Sequence, residues 1–86
     1  MTLEKFFKAI DRLSKIDRLI RDETFKATQP NIATQLGVTD RTVREDFGIL
    51  RELGAPIELL GRPADGNGFS YSKEWSLQDA IVTLLR

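Results

Sequence analysis

The sequence predicts a mainly α-helical domain with a small antiparallel β-sheet. Three observations predict this fold class: an amphipathic segment at each end of the chain, a tight turn around Gly37 between two short helical segments, and two short strand-like runs on either side of a loop rich in glycine and proline. The chain has 86 residues, the length of one small domain. We therefore expect a single domain over residues 1–86. Oligomerisation is a common source of added stability at this size.

The composition excludes several classes of function. Apolar residues make up 41% of the chain and charged residues 30%, with a formal net charge of zero, as in an ordinary globular protein. The lack of cysteine and histidine excludes disulfides, thiolate nucleophiles, the usual general base and the commonest transition-metal ligand. We find no catalytic constellation and no phosphate-binding glycine loop. We therefore expect no enzyme activity, metal, cofactor or small-molecule ligand.

The sequence also predicts a cytoplasmic protein without a membrane partner. Its longest apolar runs are too short to span a bilayer, and its N-terminus has no signal-peptide core. Residues 1–37 hold seven bases and five acids, whereas residues 38–86 hold six bases and eight acids. Any binding to nucleic acid must therefore depend on a few placed arginines and not on a broad positive field.

A long amphipathic helix is predicted over residues 2–22, with Thr2 as its N-cap. Its apolar residues recur at steps of three and four: Leu3, Phe6, Phe7, Ile10, Leu13, Ile16 and Ile20. Two interpretations of this stripe stay open. The whole stripe covers the domain core, or its first residues extend beyond the core and contact a second subunit.

A short second helix is predicted over residues 29–36. Thr28 is a good N-cap, and Pro30 lies in the first turn, where its missing N–H does no harm. A polar break over residues 22–28 precedes this helix, and residues 25–27 are a candidate for a very short strand.

A third helix is predicted over residues 40–53, directly after a tight turn. Gly37 is expected to end the second helix in the left-handed conformation, and Thr39 to cap the third. The inward stripe comprises Val43, Phe47, Leu50 and Leu53. The outer surface is left to Arg41, Thr42, Arg44, Glu45, Gly48 and Arg51. Residues 29–53 therefore have the layout of a helix-turn-helix, whose second helix enters the major groove of DNA.

A β-wing is predicted over residues 57–72. Residues 57–60 and 69–72 read as strands, and residues 61–68 between them form a loop of turn residues. A last helix is predicted over residues 76–86, with Ser76 as its N-cap. Trp75 is expected to pack that helix onto the core. The helical pattern is still running at Arg86, so the helix ends there or the chain is part of a longer protein.

The segment TDRTVRE, residues 39–45, carries the chemistry that favours DNA. Short hydroxyls and arginines at a helix N-terminus suit phosphates and base edges. A tight corner between two helices needs a similar apolar skeleton without any DNA, so that alternative stays open. Arg44 has a second alternative, an ion pair with Asp40 four residues back. Arg51 is expected to form a surface ion pair beside Glu52.

Residues 30–56 resemble the winged helix-turn-helix of bacterial transcriptional regulators of the DeoR type. They are more similar still to the N-terminal domain of WYL-domain regulators, which characteristically reads LA–x–x–LGVS–x–RTVRRDL–x–x–LRELGAPI. This chain has IATQLGVTDRTVREDFGILRELGAPI, and the resemblance extends over residues 8–75. It implies that the helix over residues 40–53 reads DNA, with a further contact from the wing. No WYL domain follows here, so no effector response by that route is expected unless the chain is a fragment.

The resemblance and the local chemistry together give seven candidate DNA-binding residues: Thr28, Thr39, Arg41, Thr42, Arg44, Glu45 and, in the wing, Arg62. Glu45 stands where the resembled family has a second basic residue, and its carboxylate could face a cytosine amino group. The function expected from this set is sequence-specific binding of double-stranded DNA in transcriptional regulation.

A homodimer is expected, because one such domain makes few DNA contacts and a palindromic site doubles them. The candidate interface lies on the first and last helices: Leu3, Phe6, Phe7, Leu77, Ile81, Leu84 and Leu85. A different class of function stays open beside this one. Zero net charge and Glu45 also fit a winged helix that serves as a protein-binding assembly module and touches no nucleic acid.

Overall fold

The computed structural model describes residues 2–22, 24–59 and 68–85. Within those residues the elements are α1 (Leu3–Arg21), α2 (Gln29–Leu36), α3 (Asp40–Glu52), β1 (Ile57–Leu59), β2 (Phe69–Tyr71) and α4 (Leu77–Leu84). The described chain is 64% helical, with one antiparallel sheet of two strands, and is consistent with a winged helix-turn-helix. The predicted fold class is confirmed. The predicted wing loop lies outside the described residues, except for Gly68.

All four helices of the described chain begin at the hydroxyl residue predicted from the sequence. Thr2, Thr28, Thr39 and Ser76 each accept a hydrogen bond from the backbone N–H three residues further on, at 3.2 Å. Gly37 ends α2 with a φ of 68°, the left-handed conformation expected there. The corner between α2 and α3 is therefore set by local chemistry at both of its ends.

The two strands pair with Ile57 opposite Tyr71 and Leu59 opposite Phe69. The short strand predicted over residues 25–27 is not formed. Instead, the N–H of Phe69 donates one hydrogen bond of 2.9 Å to the carbonyl oxygen of Ala27. A Cβ at Gly68 would lie 2.6 Å from the backbone N and C of Ala27, so only glycine fits this approach. The base of the wing is thus held against the chain that leads into α2.

The core contains only part of the apolar stripe of α1. Its buried hydrophobic residues are Leu13, Ile16, Ile20, Ala27, Ile32, Ala33, Val43, Phe47, Leu50, Ala55, Ile57 and Leu77. The inward stripe predicted for α3 is confirmed at its three buried positions, and Leu53 packs against them partly buried. At the start of α1, Leu3, Phe6 and Phe7 are exposed. The stripe therefore covers the core with its C-terminal half and leaves its first two turns in solvent.

The prediction of Leu77 as a residue of the dimer interface is wrong. Leu77 is only 3% exposed, because it begins α4 and packs into the core, where no second subunit can reach it. Ile81 is partly buried against the same core, whereas Leu84 and Leu85 at the end of α4 are exposed. Trp75 packs against the core as expected, with its ring 5.1 Å from that of Tyr71.

Candidate nucleic-acid interface

The third helix has one buried and one exposed face. Its buried residues are Val43, Asp46, Phe47 and Leu50. The residues on the opposite side, at steps of three and four, are exposed: Arg41, Arg44, Glu45, Gly48 and Glu52. The outer surface predicted from the sequence is correct at Arg41, Arg44, Glu45, Gly48 and Arg51, whereas Thr42 is half-buried. The inward Asp46 is the residue that the prediction omitted.

At its N-terminus, α3 carries two hydroxyl side chains within reach of each other. The Oγ1 of Thr39 accepts the N–H of Thr42, and the two Oγ1 atoms lie 3.2 Å apart. Thr42 is half-buried and Thr39 exposed. The first turn of the helix therefore offers hydroxyl oxygens beside the positive end of the helix dipole, where anions are favoured.

The two arginines of this face differ in their partners. The Nε of Arg41 donates to the Oε1 of Glu45 at 3.1 Å, with the two side chains 82% and 62% exposed. Such an exposed pair contributes little to folding, so Arg41 can exchange Glu45 for another acceptor at low cost. Arg44 makes no ion pair with any residue that the structure describes, and the predicted alternative with Asp40 is not formed.

Arg51 has a different role from the predicted ion pair beside Glu52. Its guanidinium carbon lies 6.0 Å from the centre of the Phe47 ring, within the range of a cation–π contact. No ion pair involves Arg51 in the described ranges. Arg51 therefore covers an edge of the core at the far end of α3.

A buried ion pair fixes α3 to α1. Arg12 donates from Nε and Nη2 to the two carboxylate oxygens of Asp46, at 2.5 and 2.9 Å. The Asp46 side chain is 1% exposed and that of Arg12 32%. Hydrogen bonding to Asp46 raises the pKa of Arg12 above its usual value. A two-point contact of this kind sets the rotation of α3, and with it the direction in which Arg41 and Arg44 point.

A second buried carboxylate fixes the wing to α1. The hydroxyl of Tyr71 in β2 donates to Asp17 at 2.7 Å, and Arg21 binds the other carboxylate oxygen at 3.0 Å. Burial, followed by the hydrogen bond to Asp17, raises the pKa of Tyr71 well above its ordinary range. The Phe69 ring packs edge-on against Phe47 of α3, with centroids 4.9 Å apart. The strand β2 and the helix α3 are thus both held against α1.

Sequence reasoning missed both buried carboxylates. A signal was present for Asp46, because its position lies three residues after Val43 and within the inward stripe of α3. For Asp17, which lies between the core residues Ile16 and Ile20, only the fold identifies Tyr71 as the distant partner.

The structure brings five of the seven candidate DNA-binding residues together, on the first turns of α3: Thr39, Arg41, Thr42, Arg44 and Glu45. Thr28 lies at the start of α2, where its Oγ1 accepts the N–H of Asn31. Arg62 lies outside the described residues. In the chain that the structure describes, no three acidic side chains cluster as a metal site would require, and no helix is long and apolar enough to cross a membrane.

Comparison with known proteins gives one family match. A family model described as HTH domain matches residues 12–68, which is more than half of the chain and includes the corner between α2 and α3, the helix α3 and the strand β1. The helix-turn-helix resemblance recognised in residues 30–56 is confirmed by this match. No curated protein and no solved structure matches the chain.

Proposed function

The chain belongs to the helix-turn-helix domain family found in bacterial transcription regulators, and we propose that it binds a specific double-stranded DNA sequence as a homodimer. The helix α3 enters the major groove, and a wing residue, Arg62, adds a contact beside it. The observation that carries this proposal is the pair of exposed arginines on the first turns of α3, beside two hydroxyl side chains, none of which belongs to the buried core.

The dimensions of α3 support major-groove binding. Its 13 residues make a helix about 20 Å long, and the major groove is about 12 Å wide. A guanidinium on the outer face of a helix can bind guanine O6 and N7 together, the commonest specific contact of this type. Arg44 is the prime candidate because it is exposed and has no ion-pair partner in the described chain. Arg41 is the second.

The other candidate residues add contacts at the periphery of the DNA interface. Thr39 and Thr42 suit phosphate oxygens at the N-terminus of α3, and Thr28 suits them at the N-terminus of α2. Glu45 can accept a hydrogen bond from a cytosine amino group when Arg41 turns to the DNA. Since the net charge is zero, these placed contacts must supply the affinity that a basic surface supplies elsewhere.

Exposed apolar ends of two helices support the homodimer. Phe6 and Phe7 form an edge-to-face pair with ring centres 5.8 Å apart, and Leu3 beside them is also exposed. At the end of α4, Leu84 and Leu85 are exposed too. Clustered exposed hydrophobic residues of this kind are typical of a protein–protein contact.

The regulator proposal is tested by selection followed by substitution. The wild-type chain is used to select duplexes from a random library at low salt, and the enriched site is titrated with Arg44→Ala. We expect the substitution to weaken specific binding by about 1–3 kcal/mol with no loss of helical circular dichroism, because Arg44 supports no folded contact.

The matched control is Arg18→Ala, which removes an exposed arginine from α1 and should leave specific affinity unchanged. Equal affinity of Arg44→Ala and wild type would exclude Arg44 from the site. If the wild-type chain enriches no duplex, DNA binding itself is excluded.

The homodimer is tested by light scattering. We expect a dimer mass for the wild type at high micromolar concentration and a monomer mass for Phe7→Asp, because a charge at the exposed Phe7 opposes burial in a subunit contact. The thermal midpoint of Phe7→Asp, extrapolated to low concentration, should match that of the wild type. A monomer mass for the wild type would overturn the homodimer.

A second candidate function is a protein-binding assembly module. The observation in its favour is the Arg41–Glu45 pair, which neutralises the charge of Arg41 on the exposed face. A salt titration separates the two functions. Specific DNA binding through several phosphates weakens steeply with salt, whereas a protein contact over an apolar surface does not.

A further inference from the structure

We infer that Gly48 sets how closely α3 approaches the base-pair edges of its DNA site. This inference rests on the proposed function and identifies a residue that determines its specificity. Gly48 lies in the interior of α3, and it is exposed. The residue types at such a position are unrestricted by the core, so the presence of glycine there requires a reason.

The fold itself supplies no reason for glycine at this position. Among the described residues, only Gly37 and Gly54 have positive φ, so the backbone of Gly48 is that of an ordinary helix. A Cβ built at Gly48 would meet no atom within 4 Å. Alanine would fit without strain, and it is the better helix former, since glycine in a helix interior loses more backbone entropy on folding. The chain therefore carries a residue that destabilises α3 and relieves no contact within the domain.

Gly48 lies on the face that carries the candidate DNA-binding side chains. It follows Arg41 by seven residues and Arg44 by four, which are the steps of one helix face. Arg41 and Gly48 are separated by about 10 Å along the helix axis, and the major groove is about 12 Å wide. A helix that inserts Arg41 into the groove therefore brings Gly48 to the same groove. A position without a side chain lets the helix backbone contact a group that projects from the DNA.

The charges around Gly48 indicate which group that is. Two acids and two bases surround it on the helix surface, all of them exposed: Glu45 and Glu52, three residues before and four after it, and Arg44 and Arg51, four residues before and three after it. Because the acids offset the bases, these side chains give a phosphate no net attraction at this position. They do not exclude a base edge, whose cytosine amino group donates hydrogen bonds and whose thymine methyl makes apolar contacts. The chemistry of the face therefore assigns Gly48 to the edges of one or two base pairs.

The test measures stability and binding on the same variant. Gly48→Ala should raise the thermal midpoint of the free domain and weaken binding to the selected duplex by at least fivefold. Gly48→Leu should bind more weakly still while it keeps the helical circular dichroism of the wild type. A renewed selection with Gly48→Ala should change the preferred bases at one or two adjacent positions and leave the others as in the wild-type site.

Three results would overturn the inference. Gly48→Ala could lower the thermal midpoint, which would show that the fold requires the glycine. It could bind the wild-type site as tightly as the wild type does. Its affinity could instead fall by the same factor for every DNA sequence, which would indicate that position 48 contacts the sugar–phosphate backbone of the DNA and not the base edges. Each of these leaves the regulator proposal standing as long as the wild type enriches a site and Arg44→Ala weakens it, so the two failures are distinguishable.

Discussion

Adjacent acids on α3 lie in opposite surroundings and have different uses. Asp46 is buried, and its carboxylate binds Arg12 from another helix, 34 residues away. Glu45 is exposed and binds Arg41 one turn back on its own helix. The two pairs contain the same chemical groups. The inward pair fixes the position of the helix in the fold, whereas the outward pair can be broken by a partner at little cost to the stability of the fold.

The same contrast extends to the rest of α3. On the inward side, every buried polar side-chain atom that the structure describes has a hydrogen-bond partner. On the outward side, Arg44 has no ion pair in the described chain, and Gly48 relieves no contact. Inward residues are thus explained by the domain alone. The outward residues have no such explanation within the domain, so they are the candidates for contact with a partner.

The largest effect is expected from Arg12→Ala. Its loss leaves the buried carboxylate of Asp46 without its two donors, and breaking a buried pair in this way costs about 3–5 kcal/mol of unfolding free energy. Urea denaturation followed by circular dichroism measures the change.

A companion variant keeps this prediction testable if Arg12→Ala does not fold. Arg12→Met combined with Asp46→Leu replaces both charges by apolar groups of similar size, and it should recover most of the lost stability. A loss below about 1 kcal/mol in Arg12→Ala would mean that water satisfies Asp46 as it does an exposed acid. The contrast between the two acids would then fail.

An intermediate effect is expected from Tyr71→Phe, which removes the hydrogen bond from β2 to the buried Asp17. Loss of a hydrogen bond to a charged group should lower the unfolding free energy by about 1.5–3 kcal/mol near neutral pH. The pKa of Tyr71 is raised in the fold, whereas in the unfolded chain it is about 10. The stabilisation is therefore complete below about pH 10 and declines as the pH rises above it, because the unfolded state releases the proton first.

Urea titrations between pH 8 and 11 check this dependence. Wild-type stability should fall towards the alkaline end by more than that of Tyr71→Phe, so the two curves should converge. Parallel curves would contradict a coupled titration of Tyr71. Below pH 9, Tyr71→Phe should bind the selected duplex about as tightly as the wild type does, since Tyr71 lies in β2 and not on the exposed face of α3.

Glu45→Gln should have the smallest effect on the unfolding free energy, and it serves as the control for Arg12→Ala and Tyr71→Phe. The pair that it removes is exposed and lies within one helix, so the unfolding free energy should change by no more than about 0.5 kcal/mol. The same urea titration measures it. A loss comparable to that of Arg12→Ala would show that the outward face also supports the fold.

The parts of the fold that depend on neighbouring residues could be predicted from the sequence. Thr28 and Thr39 cap their helices, and Gly37 turns the chain, because each acts on backbone groups within three residues. The exposed position of Arg44 could also be predicted, because the helical period of α3 places it opposite the inward apolar residues. These features include most of the candidate interface.

The parts that depend on distant residues were missed or misplaced. Asp46 could not be paired without knowing that α1 crosses beside α3, and Leu77 was assigned to a surface because its burial depends on how α4 meets the core. The backbone contact between Ala27 and the wing was mistaken for a strand for the same reason. Helical period indicates a face, but it does not say which neighbour covers that face.

The Arg12–Asp46 pair has a consequence for how this domain can diverge. Mutation of Arg12 alone leaves the buried carboxylate of Asp46 without its donors, and mutation of Asp46 alone leaves the partly exposed Arg12 without its ion pair, whereas a double replacement restores a compatible pair. In relatives of this chain, positions 12 and 46 should therefore change together or not at all. Positions 41, 45 and 48 are free of that constraint, so lineages can alter them one at a time. The exposed face of α3 can thus change its chemistry while the contact that fixes α3 to α1 is inherited intact.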